Sequence, residues 1–223
     1  MRRRSAQLEL VIRSWGGRRA GAGRKPAPGR RSMPHRRRSP HDPRCPVHVT
    51  MRATSELPSL RERAVFTRIL RALGAASSDS FRVLHYSVQS DHLHLLVEAD
   101  KPSRLARGVQ GLAVRTAKAI NRMLHRRGTV WTERYHAHAL RTPREVRNAL
   151  VYVLNNFRKH APGARGLDPR SSAAWFTGWR TAVARAVSRS PVATPRTWLA
   201  AVGWRRRGLI DVDEAPRRKP MQR

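Results

Sequence analysis

Cysteine is the rarest chemically useful residue in this chain, which contains one, Cys45, among 223 residues. A single thiol excludes an intrachain disulfide and a cysteine-rich zinc site. Any metal must therefore be held by His, Asn, Gln, Asp or Glu. Long hydrophobic runs are also absent, since no stretch approaches the roughly 18 apolar residues of a membrane helix. The arginine-rich N-terminus lacks the apolar segment of a secretory signal, so we expect a protein of the reducing cytoplasm with no membrane partner.

Acidic residues are scarce as well, and basic residues are abundant. The chain has 47 Lys and Arg against 14 Asp and Glu, which gives a net charge of +33. Such a charge repels itself unless a polyanion neutralises it. Arginine dominates over lysine, and the planar guanidinium suits phosphate recognition. The composition therefore predicts a nucleic acid partner, and a basic protein without a polyanion is the weaker alternative.

The distribution of charge and apolar residues divides the chain. Residues 1–44 carry 14 Lys and Arg against 2 acidic residues and are rich in Gly and Pro, which predicts a disordered basic arm. In this arm, Arg24 and Lys25 lie in a Gly-Arg-Lys-Pro stretch that could enter a minor groove, although simple phosphate contacts explain it better. We expect a globular domain at 45–165, a C-terminal extension at 166–211 and a disordered tail at 212–223.

The hydrophobic pattern of the globular domain predicts an α+β, ferredoxin-like βαββαβ order with an antiparallel sheet backed by helices. The pattern places strands at 47–51 and 82–89, a strand beginning at His92, and an extended segment at 129–140. Within 82–89, Leu84, Tyr86 and Val88 are expected on one face. Helices are predicted at 58–73, with Ser59 near its start, and from a Ser103 cap to Gly128. Thr142-Pro143-Arg144-Glu145 has the pattern of a capping box and predicts an added helix to about residue 160.

The C-terminal extension contains four of the six tryptophans, at positions 175, 179, 198 and 204. Two short helices are predicted there, at about 172–189 and 195–206. Tryptophans beside arginines could stack on unpaired bases. Packing of amphipathic helices against the main domain explains them at least as well.

His92 and His94 are two residues apart in a predicted strand. Their side chains should therefore leave the same face, about 6–7 Å apart along the backbone. Two imidazoles in this arrangement supply part of a metal site. A solvated sheet face is the alternative interpretation.

Tyr152 and Asn156 are four residues apart on the helix that Thr142 begins. Asn156 lies at the edge of the helix's apolar stripe and Tyr152 well off it, roughly 130° from its centre, so a phenol and an amide are presented on one flank. Other polar residues are less informative: His48 and His85 are expected to be sheet residues, and Glu133 could take part in the chemistry. His136 and His138 could contact DNA but fit structural or solvated roles better.

The combination of His92-Leu93-His94 with Tyr152-x-x-x-Asn156 on a basic ferredoxin-like chain resembles the HUH single-tyrosine transposases. The resemblance is strongest to the REP-associated tyrosine transposases, spans roughly residues 47–160, and loosely includes the Gly-Ala-Gly-Arg-Lys segment before them. Trp131-x-x-Arg134-Tyr135-x-x-His138 also matches. Relatives often have Asn-Pro where this chain has Asn156-Phe157, a departure that bears on how the helix ends.

The resemblance implies a metal-dependent endonuclease and strand transferase that cleaves single-stranded or hairpin DNA through a 5′-phosphotyrosine intermediate. It assigns Tyr152 as the nucleophile and His92, His94 and Asn156 as metal ligands. Ligands of this mixed nitrogen and oxygen type suit Mg²⁺ or Mn²⁺, with zinc as an alternative. Expected DNA contacts are Arg24, Lys25, Arg134, His138, Arg158 and Lys159, although solvated positions would explain several of them.

Three interpretations of the function remain at this point. Besides the transposase-like enzyme, the same fold could serve a DNA- or RNA-binding regulator that does not cleave. It could also serve a phosphodiesterase that uses water, with Tyr152 positioning the substrate. Related enzymes commonly form homodimers while others look monomeric, so the oligomeric state is open.

Overall fold

The computed structural model describes residues 41–160, 163–184, 186 and 188–216. Most of the predicted basic arm, with Arg24 and Lys25, and the last part of the predicted tail lie outside this range. The first described residue is attached to the domain, because a ring nitrogen of His41 lies 2.7 Å from the Ala99 carbonyl oxygen, within hydrogen-bond distance.

A four-stranded antiparallel sheet forms the centre of the described residues, with the order β2-β3-β1-β4. This confirms the predicted α+β class and the ferredoxin-like order of elements. Its central strands are β1 and β3, which carry the histidines of interest. The strands are β1 (Val47–Arg52), β2 (Phe81–Val88), β3 (His92–Ala99) and β4 (His136–Ala139).

One face of the sheet packs on two helices, α1 (Arg63–Gly74) and α2 (Pro102–Met123). The alternation of side chains along β1 and β3 sends Val49 and Leu95 into this core. The neighbouring residues therefore point to the other face. In the register Thr50 is opposite His94, so both lie on that second face.

Both helices begin differently from the prediction. The helix predicted from residue 58 starts at Arg63 with Glu62 as N-cap, and Ser59 instead accepts a hydrogen bond from the Arg61 N–H. The second helix has Lys101, not Ser103, as N-cap, because Pro102 occupies the first helical position. This helix ends at Met123, well before Gly128.

The second face of the sheet packs on α3 (Pro143–Asn155), which begins as predicted. Thr142 Oγ1 accepts a hydrogen bond from the Glu145 N–H at 3.2 Å, and the Glu145 carboxylate accepts one from the Thr142 N–H at 3.0 Å. This is the capping box read from the sequence. The helix does not continue to residue 160, however, because a separate short helix, α4 (Phe157–His160), follows Asn156.

The prediction that Leu84, Tyr86 and Val88 share one face of β2 is wrong for Leu84. An irregularity in its pairing with β3 occurs between Val83 and His85. The extra residue reverses the alternation at this point. Leu84 therefore packs with α3, whereas Tyr86 and Val88 pack in the core under α1 and α2.

The C-terminal extension forms much less helix than predicted. In place of the helix at 172–189 there is one 3₁₀ turn (Ala173–Trp175). The second predicted helix is reduced to α5 (Trp198–Ala201) and a 3₁₀ turn (Gly203–Arg207). Ring packing explains the difference, since Phe176 contacts the rings of Trp179 and Trp204 at centroid distances of 5.0 and 5.5 Å.

The described beginning of the predicted disordered tail is attached to the domain. Arg147 on α3 forms an ion pair with Glu214 at 2.6 Å, and Arg158 forms one with Asp213 at 2.6 Å. Residues 213 and 214 are therefore structured, contrary to the prediction.

Among the described residues, no helix is long and apolar enough to cross a membrane.

Candidate active site

His92 and His94 lie together on the α3 face of the sheet, as their spacing predicts. Their rings stack with centroids 5.9 Å apart and planes inclined by 9°. His94 is buried, whereas the side chain of His92 is 33% exposed. One imidazole is thus fixed inside the structure and the other opens to solvent.

Both rings are oriented by hydrogen bonds through Nδ1. The Asp91 carboxylate is 2.6 Å from His92 Nδ1, and Thr50 Oγ1 is 3.2 Å from His94 Nδ1. Such contacts orient metal-binding histidines and leave Nε2 to face the ion. Asp91 and Thr50 are supporting residues that the sequence-based assignment did not include.

Helix α3 brings Tyr152 to the histidines. The ring of Tyr152 meets the ring of His94 edge-on, with centroids 5.1 Å apart and planes at 88°. The predicted nucleophile and one predicted ligand are therefore in contact, although they are far apart in the sequence. The apolar stripe of α3, which includes Val146, Leu150 and Leu154, packs on the sheet and sets which residues of the helix face it.

Asn156 is the C-cap of α3, one turn after Tyr152, and it is 1% exposed. Its amide oxygen is buried and has no hydrogen-bond partner among the described residues. A buried acceptor without a donor destabilises a protein by about 1–3 kcal/mol, so a partner is expected. A water molecule or a cation would satisfy it, and the same holds for the neighbouring Asn155 amide oxygen, which also lacks a partner among these residues.

The donor set can be tested against a divalent ion. No three His, Cys, Asp or Glu residues in the described part of the chain form a group that could hold a metal. An ion between His92 and His94 therefore needs another kind of donor. The unsatisfied amide oxygen of Asn156 has the right chemistry for Mg²⁺ or Mn²⁺.

Comparison with known proteins identifies a family for the chain. Residues 43–156, just over half of the chain, match the family model described as Transposase IS200 like. The chain belongs to the IS200-like transposase family. The matched region contains His92, His94, Tyr152 and Asn156. The match confirms the resemblance to this transposase family that the sequence motifs indicated.

Other comparisons add little to this match. A solved structure described as the REP-associated tyrosine transposase bound to a REP hairpin shares 19% sequence identity with this transposase. The alignment covers 58% of this chain and 75% of that chain, with a TM-score of 0.44. No curated protein matches.

His48 is a member of the site that sequence reasoning missed. Its ring stacks on His94 with centroids 5.6 Å apart and meets Tyr152 edge-on at 5.5 Å. Desolvation lowers the pKa of His48 to about 4, and the charge of His138 contributes a smaller part. The neutral ring therefore fills the space between strand and helix, a role visible only once β1 is known to lie beside β3.

The charge around Tyr152 is set by burial and by Lys159. Desolvation raises the pKa of the Tyr152 phenol, which disfavours the phenolate. The Lys159 ammonium lies 4.2 Å from the centre of the Tyr152 ring. Desolvation also lowers the pKa of Lys159. A cation at this distance favours the anionic form of the tyrosine and a bound phosphate alike.

The predicted DNA contacts differ in their placement. Arg134 and His138 are exposed, and His138 lies opposite His48 in the sheet register. Arg158, by contrast, donates to the carbonyl oxygens of Ala164, Gly166 and Val212 and pairs with Asp213. Its guanidinium serves the internal structure, so we no longer expect it to contact DNA.

Proposed function

We propose that this IS200-like transposase is a metal-dependent endonuclease and strand transferase that acts on single-stranded or hairpin DNA through Tyr152. The edge-on contact between Tyr152 and His94 carries the proposal, because it sets a phenol beside a histidine pair. The net charge of +33 supports a polyanionic substrate.

The proposed step exchanges one phosphoester for another. Tyr152 Oη attacks the scissile phosphorus, the phenol loses its proton, and the bond from phosphorus to the 3′ oxygen breaks. The products are a 5′-phosphotyrosine and a 3′ hydroxyl that has gained a proton. Because the phosphoester is retained on the protein, a 3′ hydroxyl can attack it and restore a DNA strand.

The surrounding residues prepare the phenol for this step. His94 and His48 stack on each other and both contact the Tyr152 ring edge-on, which restrains its orientation before DNA binds. Lys159 places an ammonium 4.2 Å from the centre of the Tyr152 ring, where it would attract a phosphate that approaches the phenol.

His92, His94 and Asn156 would hold a divalent cation; the amide oxygen suits Mg²⁺ or Mn²⁺, and the two imidazoles leave zinc as an alternative. Such an ion supplies Lewis-acid stabilisation of the charge on the phosphate. All three side chains are neutral as ligands, so a bound phosphate would balance the charge of the ion.

The experiment is incubation of the full chain with end-labelled hairpin and unstructured single-stranded DNA, with Mg²⁺ or Mn²⁺ and with EDTA. We expect a protein–DNA adduct that survives denaturant in the presence of the ion. The adduct should be absent from Tyr152→Phe and from His92→Ala/His94→Ala. Tyr152→Phe should still bind the DNA, which separates chemistry from recognition.

Two other outcomes identify the alternatives. Cleavage that persists in Tyr152→Phe without an adduct would favour a phosphodiesterase that uses water. Tight binding without cleavage under any metal would favour a regulator on the same fold.

A further inference from the structure

The four tryptophans of the C-terminal extension have different environments. Trp179 and Trp204 are buried, and their indole N–H groups donate to the carbonyl oxygens of Ala173 and Ala200. Trp175 is half-buried and donates to the Ser188 carbonyl oxygen. The indoles of these three residues pack against other residues of the fold. Trp198 differs, because it is 49% exposed.

Trp198 is exposed but firmly held. The residue before it, Thr197, donates from its N–H and its hydroxyl to the buried Glu98 carboxylate, at 2.9 and 2.7 Å. Thr197 Oγ1 also caps α5 by accepting from the Ala200 N–H. The indole rests against Gly203, where a Cβ atom would lie only 2.7 Å from the ring. A side chain at position 203 would therefore displace the indole.

The surroundings of Trp198 are strongly basic. The Arg206 guanidinium lies 5.0 Å from the centre of the indole. The indole also lines an open groove of about 850 Å³ together with Arg44, Arg141 and Arg196. Asp42 and Asp100 lie in the same groove, paired with Arg44 and with the buried Arg82. Arg196 is also paired, with Asp79 at 2.9 Å, so the excess positive charge around the indole comes from Arg141 and Arg206.

The groove lies at the opposite end of α3 from Tyr152. Arg141 immediately precedes the helix, whereas Tyr152 is in its last turn. Along the helix itself, from Pro143 to Tyr152, the distance is about 14 Å at a rise of 1.5 Å per residue. A strand cleaved at Tyr152 could extend to this groove within a few nucleotides.

We propose that Trp198 stacks on an unpaired base of the DNA strand while Arg141 and Arg206 contact its phosphates. A duplex hides the faces of its bases, so an exposed indole in a basic groove favours a single strand. That the bound strand is the substrate DNA rests on the proposed function. That it stacks on the indole rests on the exposure of Trp198 and on the basic groove around it.

The test is the affinity of the full chain for labelled single-stranded DNA at several salt concentrations. Trp198→Leu keeps an apolar side chain against Gly203 but cannot stack, and it should weaken binding about tenfold. Trp198→Phe should retain most of the affinity. Val114→Ala, which changes an exposed apolar residue on α2, should have no effect.

Salt dependence separates stacking from charge. Trp198→Leu removes no charge and should leave the slope of log affinity against log salt unchanged. Arg141→Gln should reduce that slope by about 0.7, the value expected for one phosphate contact on a single strand. A lower slope in Trp198→Leu would contradict a stacking role.

Several results would overturn the inference. Equal affinity of Trp198→Leu and the wild type for single strands would do so, as would the same loss on a fully paired duplex. A change in sedimentation without a change in DNA affinity would show that the indole contacts another protein chain instead.

The proposed function is read separately in the same samples. At saturating DNA, Val114→Ala should form the covalent adduct at the wild-type rate. A wild type that forms no adduct but binds in a Trp198-dependent way would contradict the function of Tyr152 and leave the stacking inference standing. If the wild type forms the adduct but Trp198→Leu binds DNA as tightly as the wild type, the function of Tyr152 stands and the stacking inference is contradicted.

Discussion

The ring of Tyr152 meets the ring of His94 edge-on, with centroids 5.1 Å apart and planes at 88°. An edge-to-face contact of this kind fixes the position and orientation of both rings. It joins the last turn of α3 to the middle of β3. The position of the phenol is therefore built into the free protein, as expected for a nucleophile that must meet a phosphate in one orientation.

Replacement of Asn156 tests the ion site without reference to catalysis. An ion that binds only the folded chain raises its stability, by about 2.7 kcal/mol at 100 times the dissociation constant. We expect Mn²⁺ to raise the melting temperature of the wild type. Asn156→Leu should abolish this rise, and Asn156→Asp should retain it because it keeps an oxygen donor. An unchanged response in Asn156→Leu would remove Asn156 from the ligand set.

Lys159 tests the role of positive charge beside the phenol. Lys159→Met keeps an apolar chain over Tyr152 but removes the cation that favours a phenolate and a phosphate. We expect adduct formation at saturating DNA to slow about tenfold, the scale of 1.4 kcal/mol. Lys159→Arg should stay within a few-fold of the wild type. Equal rates for Lys159→Met and the wild type would show that the charge has no part in the step.

His85 predicts how stability depends on pH. His85 is half-buried, its ring contacts Ser172 and Phe176, and desolvation lowers its pKa from 6.5 to about 4. The unfolded chain therefore takes up this proton first, and stability should fall as the pH drops from about 6.5 to about 4.

The size of the loss is on the order of 3 kcal/mol, from 1.36 kcal/mol per pKa unit. Urea titrations between pH 7 and pH 4 measure it. His85→Gln should make the decline shallower without removing it, because His48 has a similarly lowered pKa. An identical decline in the variant would contradict the assignment.

Glu98 attaches the C-terminal extension to the sheet. Its buried carboxylate accepts from Arg82, from the Arg196 N–H and from Thr197. Loss of one partner from such a buried pair costs about 3–5 kcal/mol. Glu98→Gln should therefore lower stability strongly and admit protease to the segment around Arg196. Asp42→Asn, at an exposed ion pair, is the matched control and should change neither.

The parts of the fold that depend on neighbouring residues could be predicted from the sequence. The capping box at Thr142 and Glu145 located the start of α3, and the spacing of His92 and His94 placed both rings on one face. These features depend on a few neighbouring residues and on fixed periodicities.

Other features depend on partners that are distant in the sequence. His48 entered the site because β1 pairs with β3, and a pairing irregularity in β2 reversed Leu84. The predicted helices of the extension gave way to packing among Phe176, Trp179 and Trp204. Tertiary contacts override local propensity in such cases.

The central claim is that Tyr152 becomes covalently attached to DNA. The most direct measurement is mass spectrometry of the adduct after nuclease and trypsin digestion. We predict a 5′-nucleotide on the tryptic peptide of residues 148–158, with the modification on Tyr152, and no such peptide when EDTA is present. Attachment to a different residue, or cleaved DNA with no attached peptide, would contradict the account.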